Sequence, residues 1–413
     1  MIQVQRQFLC YKHPLTHQEV QHYALSLITK QQRILLTEFN LYLLEVTKSS
    51  VATSNKYSRI LQTFLQWLIN RYGDETAEPE NVWLVSDNNK IKEWQLYIQA
   101  ERFKKQSIRP TSKTIFDNAS QVIRFYHWIN QEGYDTNVKP KLNTWKPTKK
   151  ETLLSYTDSN NKEQINTKSI QVLDRESRQS RIKSLISSEQ IKLLLGTYPD
   201  PVFSCLFHLS MSTALRPEGC VKWPYIGVGP NTHIKPWEQM LGKVGKTFPF
   251  TVTEKRNKTR TIVVNAIDWK EISTAWMPLY TERRKLYKSR YGHDCPINIL
   301  WLNKKGIPVT EKNVADATTY AKKLNPLLKS VEFYDARHWW PTMYVIKQLG
   351  DDLWKEIGLN AAVDEVLRNQ MGHDEVGTTY KHYISVARTY LANKRGLVSD
   401  IVNEDGVMAL INE

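Results

Sequence analysis

The chain has 413 residues, 41% of them hydrophobic and 24% charged, with a formal net charge of +15; that length allows two cores, and the composition is that of a soluble globular protein. No run approaches the ~18 apolar residues of a membrane-spanning helix, and the N-terminal Met-Ile-Gln-Val-Gln-Arg-Gln lacks the apolar stretch of a secretory signal. The four cysteines (Cys10, Cys205, Cys220, Cys295) have neither CxxC nor metal-ligand spacing, so the chain reads as reduced and cytoplasmic, and its excess of Lys and Arg points to a polyanionic partner, nucleic acid first.

Residues 1–30 are polar, weakly periodic, and read as an N-terminal extension. From Gln31, apolar residues recur at helical spacing: Ile34, Leu35, Phe39, Leu41, Leu43 and Leu44. Ser49 and Ser50 are candidate N-caps of a second helix, with Tyr57, Ile60, Leu61, Phe64, Leu65 and Leu68 on one face and Tyr72-Gly73-Asp74 at its end. Residues 88–106 predict a third helix ending in the basic run Arg102-Phe103-Lys104-Lys105, and a fourth spans about Thr111 to Gln131 before Gly133. Residues 31–137 thus read as an all-α bundle in which Phe64, Trp67, Phe125 and Trp128 are core. Arg102, Lys104, Lys105, Arg109 and Lys113 are its candidate phosphate contacts. Residues 138–185 are polar and basic with little apolar periodicity, a linker whose Lys146, Lys149, Lys150, Arg175 and Arg178 are candidates to lie along phosphates.

In the second half, Ser187 or Ser188 caps a helix carrying Ile191, Leu193, Leu194 and Leu195. A nearly continuous apolar helix from Val202 then runs into Ala214-Leu215-Arg216. An arginine after such a run is costly to bury without an anion, which is either a phosphate or a buried carboxylate. Residues 248–253 and 259–264 alternate as strands around a lysine-rich tip holding Lys255 and Lys258. Residues 298–302 read as a strand, 304–308 as a turn and 310–323 as a helix. Tyr334-Asp-Ala-Arg337-His338 follows, then one or two helices over 351–371 leading to Gly372-His373, and Tyr383 ten residues later at the head of a helix to Gly396. The last segment is acidic and amphipathic. A phenol with a pKa near ~10 is a poor nucleophile in water, but it suffices for a phosphodiester clamped by two guanidinium groups.

The order Arg216, Lys255, Tyr334-x-x-Arg337, Gly372-His373, Tyr383 resembles that of the tyrosine recombinase (phage integrase) family, where Arg, Lys, His-x-x-Arg, His and Tyr share one catalytic domain. The resemblance is close over the C-terminal half and loose over the N-terminal half, through residues 54–68 and 122–130. It implies a mainly α fold with a small antiparallel β-sheet (α+β). An all-α core-binding domain (31–137) and a catalytic domain (186–396), joined by the linker (138–185), would form a C-shaped DNA clamp. Residues 397–413 would dock on a neighbouring subunit or on their own domain. By resemblance, Tyr383 is the nucleophile and Tyr380 the alternative, while Arg216 and Arg337 stabilise the transition state. The segment Glu254-Lys255-Arg256-Asn257-Lys258-Thr259-Arg260 is similar to the family's Gly-Lys-Gly-Asn-Lys-x-Arg turn. That similarity makes Lys255 the general acid, with Lys258 as runner-up, while His373 and Tyr334 assist and His338 ranks below them.

Two positions depart from the family pattern. Tyr334 stands where His is usual, and Gly219 stands where an acidic residue usually follows the first arginine, with adjacent Glu218 as the candidate substitute. The implied function is site-specific strand exchange through a 3′-phosphotyrosine, on double-stranded DNA at the nucleoid. It would run as a dimer per site and a tetramer in synapsis, without metal, cofactor or membrane. A tyrosine transposase, a type IB topoisomerase-like enzyme and an inactive DNA-binding accessory protein are the alternatives.

Overall fold

The computed structural model describes residues 2–30, 32–47, 50–76, 78–107, 109–140, 142–144, 163–165, 185–254, 258–350, 353, 361–372 and 383–391. The chain divides into two compact units, Met1–Ser180 and Arg181–Glu413. The architecture is helical with three small antiparallel sheets among the described residues. No helix among them is long and apolar enough to cross a membrane.

In the first unit, β1 (Gln3–Lys12) pairs antiparallel with β2 (Glu19–Ile28), and β3 (Arg33–Leu35) pairs with the other edge of β2. The stretch read as a polar extension is therefore a sheet. It buries Val4, Leu25 and Leu27, and the Asn40 side chain on the first helix bonds both the N–H (2.6 Å) and the C=O (2.9 Å) of Leu25. The helix expected from residue 31 begins instead at Thr37. Short apolar runs do not distinguish a period of 3.6 from one of 2, and Ile34 faces Leu27 across a strand pair. The helices are α1 (Thr37–Thr47), α2 (Val51–Tyr72), α3 (Asn88–Lys104) and α4 (Ser112–Gln131). The hydroxyl of Ser50 accepts from the Thr53 amide, Asp87 from Lys90 and Thr111 from Thr114, so each start has a side chain for an otherwise unpaired N–H. Their apolar faces meet around Phe39 and Phe125, stacked at 4.2 Å, with Trp83, Trp94 and Phe64 fully buried. Within the stretch read as a linker, β4 (Leu142–Thr144) pairs with β5 (Glu163–Ile165).

The second unit contains α5 (Ser188–Thr197), α6 (Pro201–Thr213), α7 (Pro217–Val221), α8 (Trp237–Met240), β6 (Thr247–Glu254), β7 (Lys258–Asn265), α9 (Ala266–Tyr291), α10 (Glu311–Leu324), α11 (Asp335–Leu349) and α12 (Ala361–Met371). Residues 383–391 form a last helix, α13. Ser187 caps α5 in a reciprocal box with Gln190. The apolar α6 packs against α9, α11 and β7, and Trp223 sits 4.4 Å from Phe250 and 4.9 Å from Trp269. Residues 298–302, expected as a strand, make only an isolated bridge from Leu302 to Pro308. Side chains of α9 satisfy the carbonyls of this segment instead: Tyr280 Oη donates to Ile299 (2.5 Å), Trp276 Nε1 to Leu300 (3.1 Å) and Arg283 Nη1 to Leu302 (2.7 Å).

Candidate functional site

The site lies in the second unit, where the chain leaves α6. Ala214 closes that helix in the left-handed region (φ 57, ψ 22), a conformation costing an L-residue about 1–2 kcal/mol. The turn presents the Ala214 carbonyl to Arg337 Nη1 and brings Arg216 to the start of α7. Arg337, fully buried on the first turn of α11, also donates through Nη2 to the Met371 carbonyl at the end of α12.

Arg216 meets an anion that the sequence reading did not choose. Glu254, the last residue of β6 and only 3% exposed, accepts from the Arg216 amide at 3.2 Å and from its Nη1 at 2.8 Å. The same carboxylate takes Arg260 Nε at 3.1 Å and Nη2 at 2.9 Å from the facing strand β7. Burial alone would raise the Glu254 pKa, but the charges of Arg260, Arg216 and Arg337 prevail and hold it below the ordinary carboxylate value. Both answers to the buried-arginine question are thus partly realised: a carboxylate is present, and the Arg216 side chain still keeps 28% exposure. Glu218, the expected substitute, points elsewhere and pairs with Lys222 at 2.6 Å, the i,i+4 neighbour.

Arg260 also donates through Nη1 to the Gln370 carbonyl, so two arginines, 260 and 337, cap the last carbonyls of α12. Gln370 is itself buried and joins three elements. Its Nε2 donates to the Thr213 (2.9 Å) and Val263 (3.0 Å) carbonyls, and its Oε1 accepts from the Val263 amide (3.0 Å). Gly372 follows with φ +62, and a Cβ there would stand 2.8 Å from Arg260 Cδ, so the position needs glycine for both backbone and space.

Tyr383, in α13, is buried in a cluster with Ala214, Val345, Leu367, Met371 and Ala387. Its hydroxyl lies 3.0 Å from His338 Nδ1. Burial raises the phenol pKa, while the positive charges of Arg337 and Arg216 act to lower it. Tyr334 is 42% exposed, with its ring 5.9 Å from the Arg337 guanidinium carbon and 5.3 Å from the His338 ring. Burial lowers the Arg337 pKa, Tyr334 opposes that, and Arg216 and Arg260 add to it.

The structure therefore brings Arg216, Tyr334, Arg337 and Tyr383 into one cluster. Lys255, His373 and the alternative nucleophile Tyr380 lie outside the described residues, as do Lys146, Lys149, Lys150, Arg175 and Arg178. Lys258 starts β7, exposed and opposite Glu254 in the strand register. In the first unit Arg102 is turned inward, donating to the Pro110 carbonyl at 3.1 Å, which takes it off the solvent-facing set. Lys104 and Lys105 are exposed beside Glu101, and Arg109 and Lys113 are exposed. The sequence did not point to Glu254 or Gln370 at the site, and it ranked His338, which meets the Tyr383 hydroxyl, below the other candidates. Arg260 had a signal, the final Arg of the turn motif, whereas Gln370 had none.

No family model matches this sequence, and no curated protein sequence matches it. Among solved structures, the chain is similar to XerH site-specific recombinase bound to palindromic difH substrate in a post-cleavage complex. The two share 12% identity at a TM-score of 0.52, over 89% of this chain and 85% of that one. It is also similar to the Tn1549 transposon integrase in complex with circular intermediate DNA (13% identity, TM-score 0.46, 86% and 98% covered). A lambda integrase dimer bound to a COC′ core site gives 12% identity and a TM-score of 0.44, with 84% and 95% covered. At such identities the likeness is one of fold.

Proposed function

The chain has the fold of the tyrosine recombinases, and from that premise we propose that it is a DNA strand transferase that cuts and rejoins duplex DNA through a 3′-phosphotyrosine. The observation that carries this reading is the convergence of Arg216, Arg337 and the Tyr383 phenol, from three distant parts of the sequence, in one cluster. Two guanidinium groups stabilise the charge that grows on the non-bridging oxygens of a pentacoordinate phosphorus. The phenolic oxygen forms a bond to phosphorus as the bond to the 5′-oxygen breaks. The phenol proton passes to a base, with His338 already at the hydroxyl and His373 the second candidate, and Lys255 protonates the leaving oxygen. The phosphoryl bond energy stays in the covalent link, so a second 5′-hydroxyl can reverse the step on another strand.

Tyr383 is covered in the described state, so attack requires its hydroxyl to be uncovered towards the phosphate, a movement that duplex binding would drive. Tyr334, in the place of the usual His, supplies a hydrogen-bond donor rather than a base near neutral pH. Exchange between two sites calls for a dimer on each and a tetramer in synapsis. The XerH structure is itself a complex with its difH substrate.

The test is a nicked suicide duplex from which the cleaved fragment diffuses away. Wild-type protein should accumulate a covalent adduct mapping to the Tyr383 peptide, and Tyr383→Phe should bind the duplex without trapping it. An adduct on Tyr380, or trapping by the Phe variant, would refute the assignment of the nucleophile. Rejoined products at one fixed sequence would separate recombination from transposition with loose target choice.

A further inference from the structure

We propose that Glu254 is the positioning carboxylate of this site and that Gly219 is glycine because Glu254 fills the space its side chain would take. A Cβ built on Gly219 would collide with Glu254 Oε1, stand 3.3 Å from Glu254 Cδ and press on Leu215 Cδ2 at 3.0 Å. No positive φ requires glycine at this position, so the neighbouring carboxylate is the reason for it. Glu254 in turn is buried with its charge intact, which needs several matched donors. It has three, the Arg216 amide, Arg216 Nη1 and Arg260 Nε, and the Arg260 Nη2 charge lies 2.9 Å away.

One carboxylate thereby fixes both the main chain and the guanidinium of Arg216, and locks β7 to the start of α7. Gly219 in place of the usual acid, and Glu254 in place of the first glycine of the resembling turn, are thus one event. The acidic group expected at 219 is supplied from 254, where the resembling turn has glycine, so helix and strand have exchanged acid and glycine. Glu254 does not touch substrate; it acts through Arg216, holding one edge of the guanidinium so that the remainder faces outward. The role in strand transfer rests on the function proposed above, whereas the exclusion of a side chain at 219 by Glu254 rests on geometry alone.

The experiment is a cycle of Glu254→Gly, Gly219→Asp and the double variant, with Glu254→Gln as the isosteric control. Thermal unfolding is read on each full-length protein, together with duplex affinity and single-turnover trapping on the nicked duplex. Glu254→Gly leaves two arginines unmatched and Gly219→Asp sets two carboxylates in one space, so each lowers the unfolding midpoint by several degrees. The double variant recovers most of that loss. Trapping by Glu254→Gln slows about tenfold or more, with duplex affinity within about twofold of wild type, since the guanidinium is misaimed rather than removed. The double variant regains speed over either single.

A double variant that unfolds no higher than the less stable single would overturn the exchange. A Glu254→Gln protein that traps like wild type would overturn the positioning role. If wild type forms no adduct, the strand-transfer reading fails by itself, and the unfolding cycle still decides the exchange.

Discussion

At the scale of single residues, Glu254 is a buried carboxylate whose ionisation is linked to folding. Its pKa is depressed in the native site, so between that value and the ordinary one near ~4.3 the unfolded chain binds more protons than the folded one. Its contribution to stability is therefore complete above the unfolded value and is lost as pH falls through the folded value. Acid titration of the unfolding midpoint should show this loss in wild type and a flatter acid limb in Glu254→Gln. Arg216 faces a different demand, because it must serve Glu254 and still offer donors outward. Lysine cannot form that fork. Arg216→Lys should slow covalent trapping by about 10²-fold while the fold is retained, as measured by single-turnover kinetics beside a melting curve.

At the scale of elements, the site is positioned by the way helices begin and end. Asp200 caps α6 through the Val202 amide at 3.1 Å, accepts the Lys304 amide at 2.7 Å, and pairs with Arg283 of α9 at 2.8 Å. Arg283 also donates to the Leu302 carbonyl at 2.7 Å and lies 4.8 Å from the centre of the Trp276 ring. Both partners are buried, so Asp200→Ala leaves an uncompensated cation in the core. It should cost about 3–5 kcal/mol in equilibrium urea unfolding, well beyond a surface substitution. At its other end, α6 feeds Ala214 and Arg216 into the site, so the same variant should also disturb trapping. The end of α12 is held by Arg260 and Arg337 together, which ties residues 371 and 372 to the cluster that receives Tyr383.

At the scale of the whole molecule, the net charge of +15 sets how the protein would meet DNA. On the proposed function, phosphate contacts release counterions, and each contributes a slope of about −0.9 in log K against log salt. Affinity for a duplex without a specific site should therefore fall by about 10³-fold between about 50 and 200 mM salt. A flat response would argue against backbone binding. The inward-facing Arg102 should add nothing to that slope, so Arg102→Gln should leave it unchanged, whereas Lys104→Gln and Lys105→Gln together should reduce it.

The sequence by itself determined the parts with a local cause. The spacing of apolar residues, with cap signals at Ser50 and Ser187, placed α2, α4 and α5, and alternation placed β6 and β7. The order of Arg216, Arg337 and Tyr383 was enough to suggest one site. Where the cause was not local the sequence was silent or misleading. The strands of residues 3–35 depend on pairing with one another, and residues 298–302 look like a strand but have carbonyls satisfied by side chains of α9. Only the tertiary structure decided which carboxylate meets Arg216. Glu218 is two residues away in the chain but turned to Lys222, whereas Glu254 arrives from a strand 38 residues on. A buried charge is matched by whatever group the packing brings within bonding distance, and sequence separation says little about that distance.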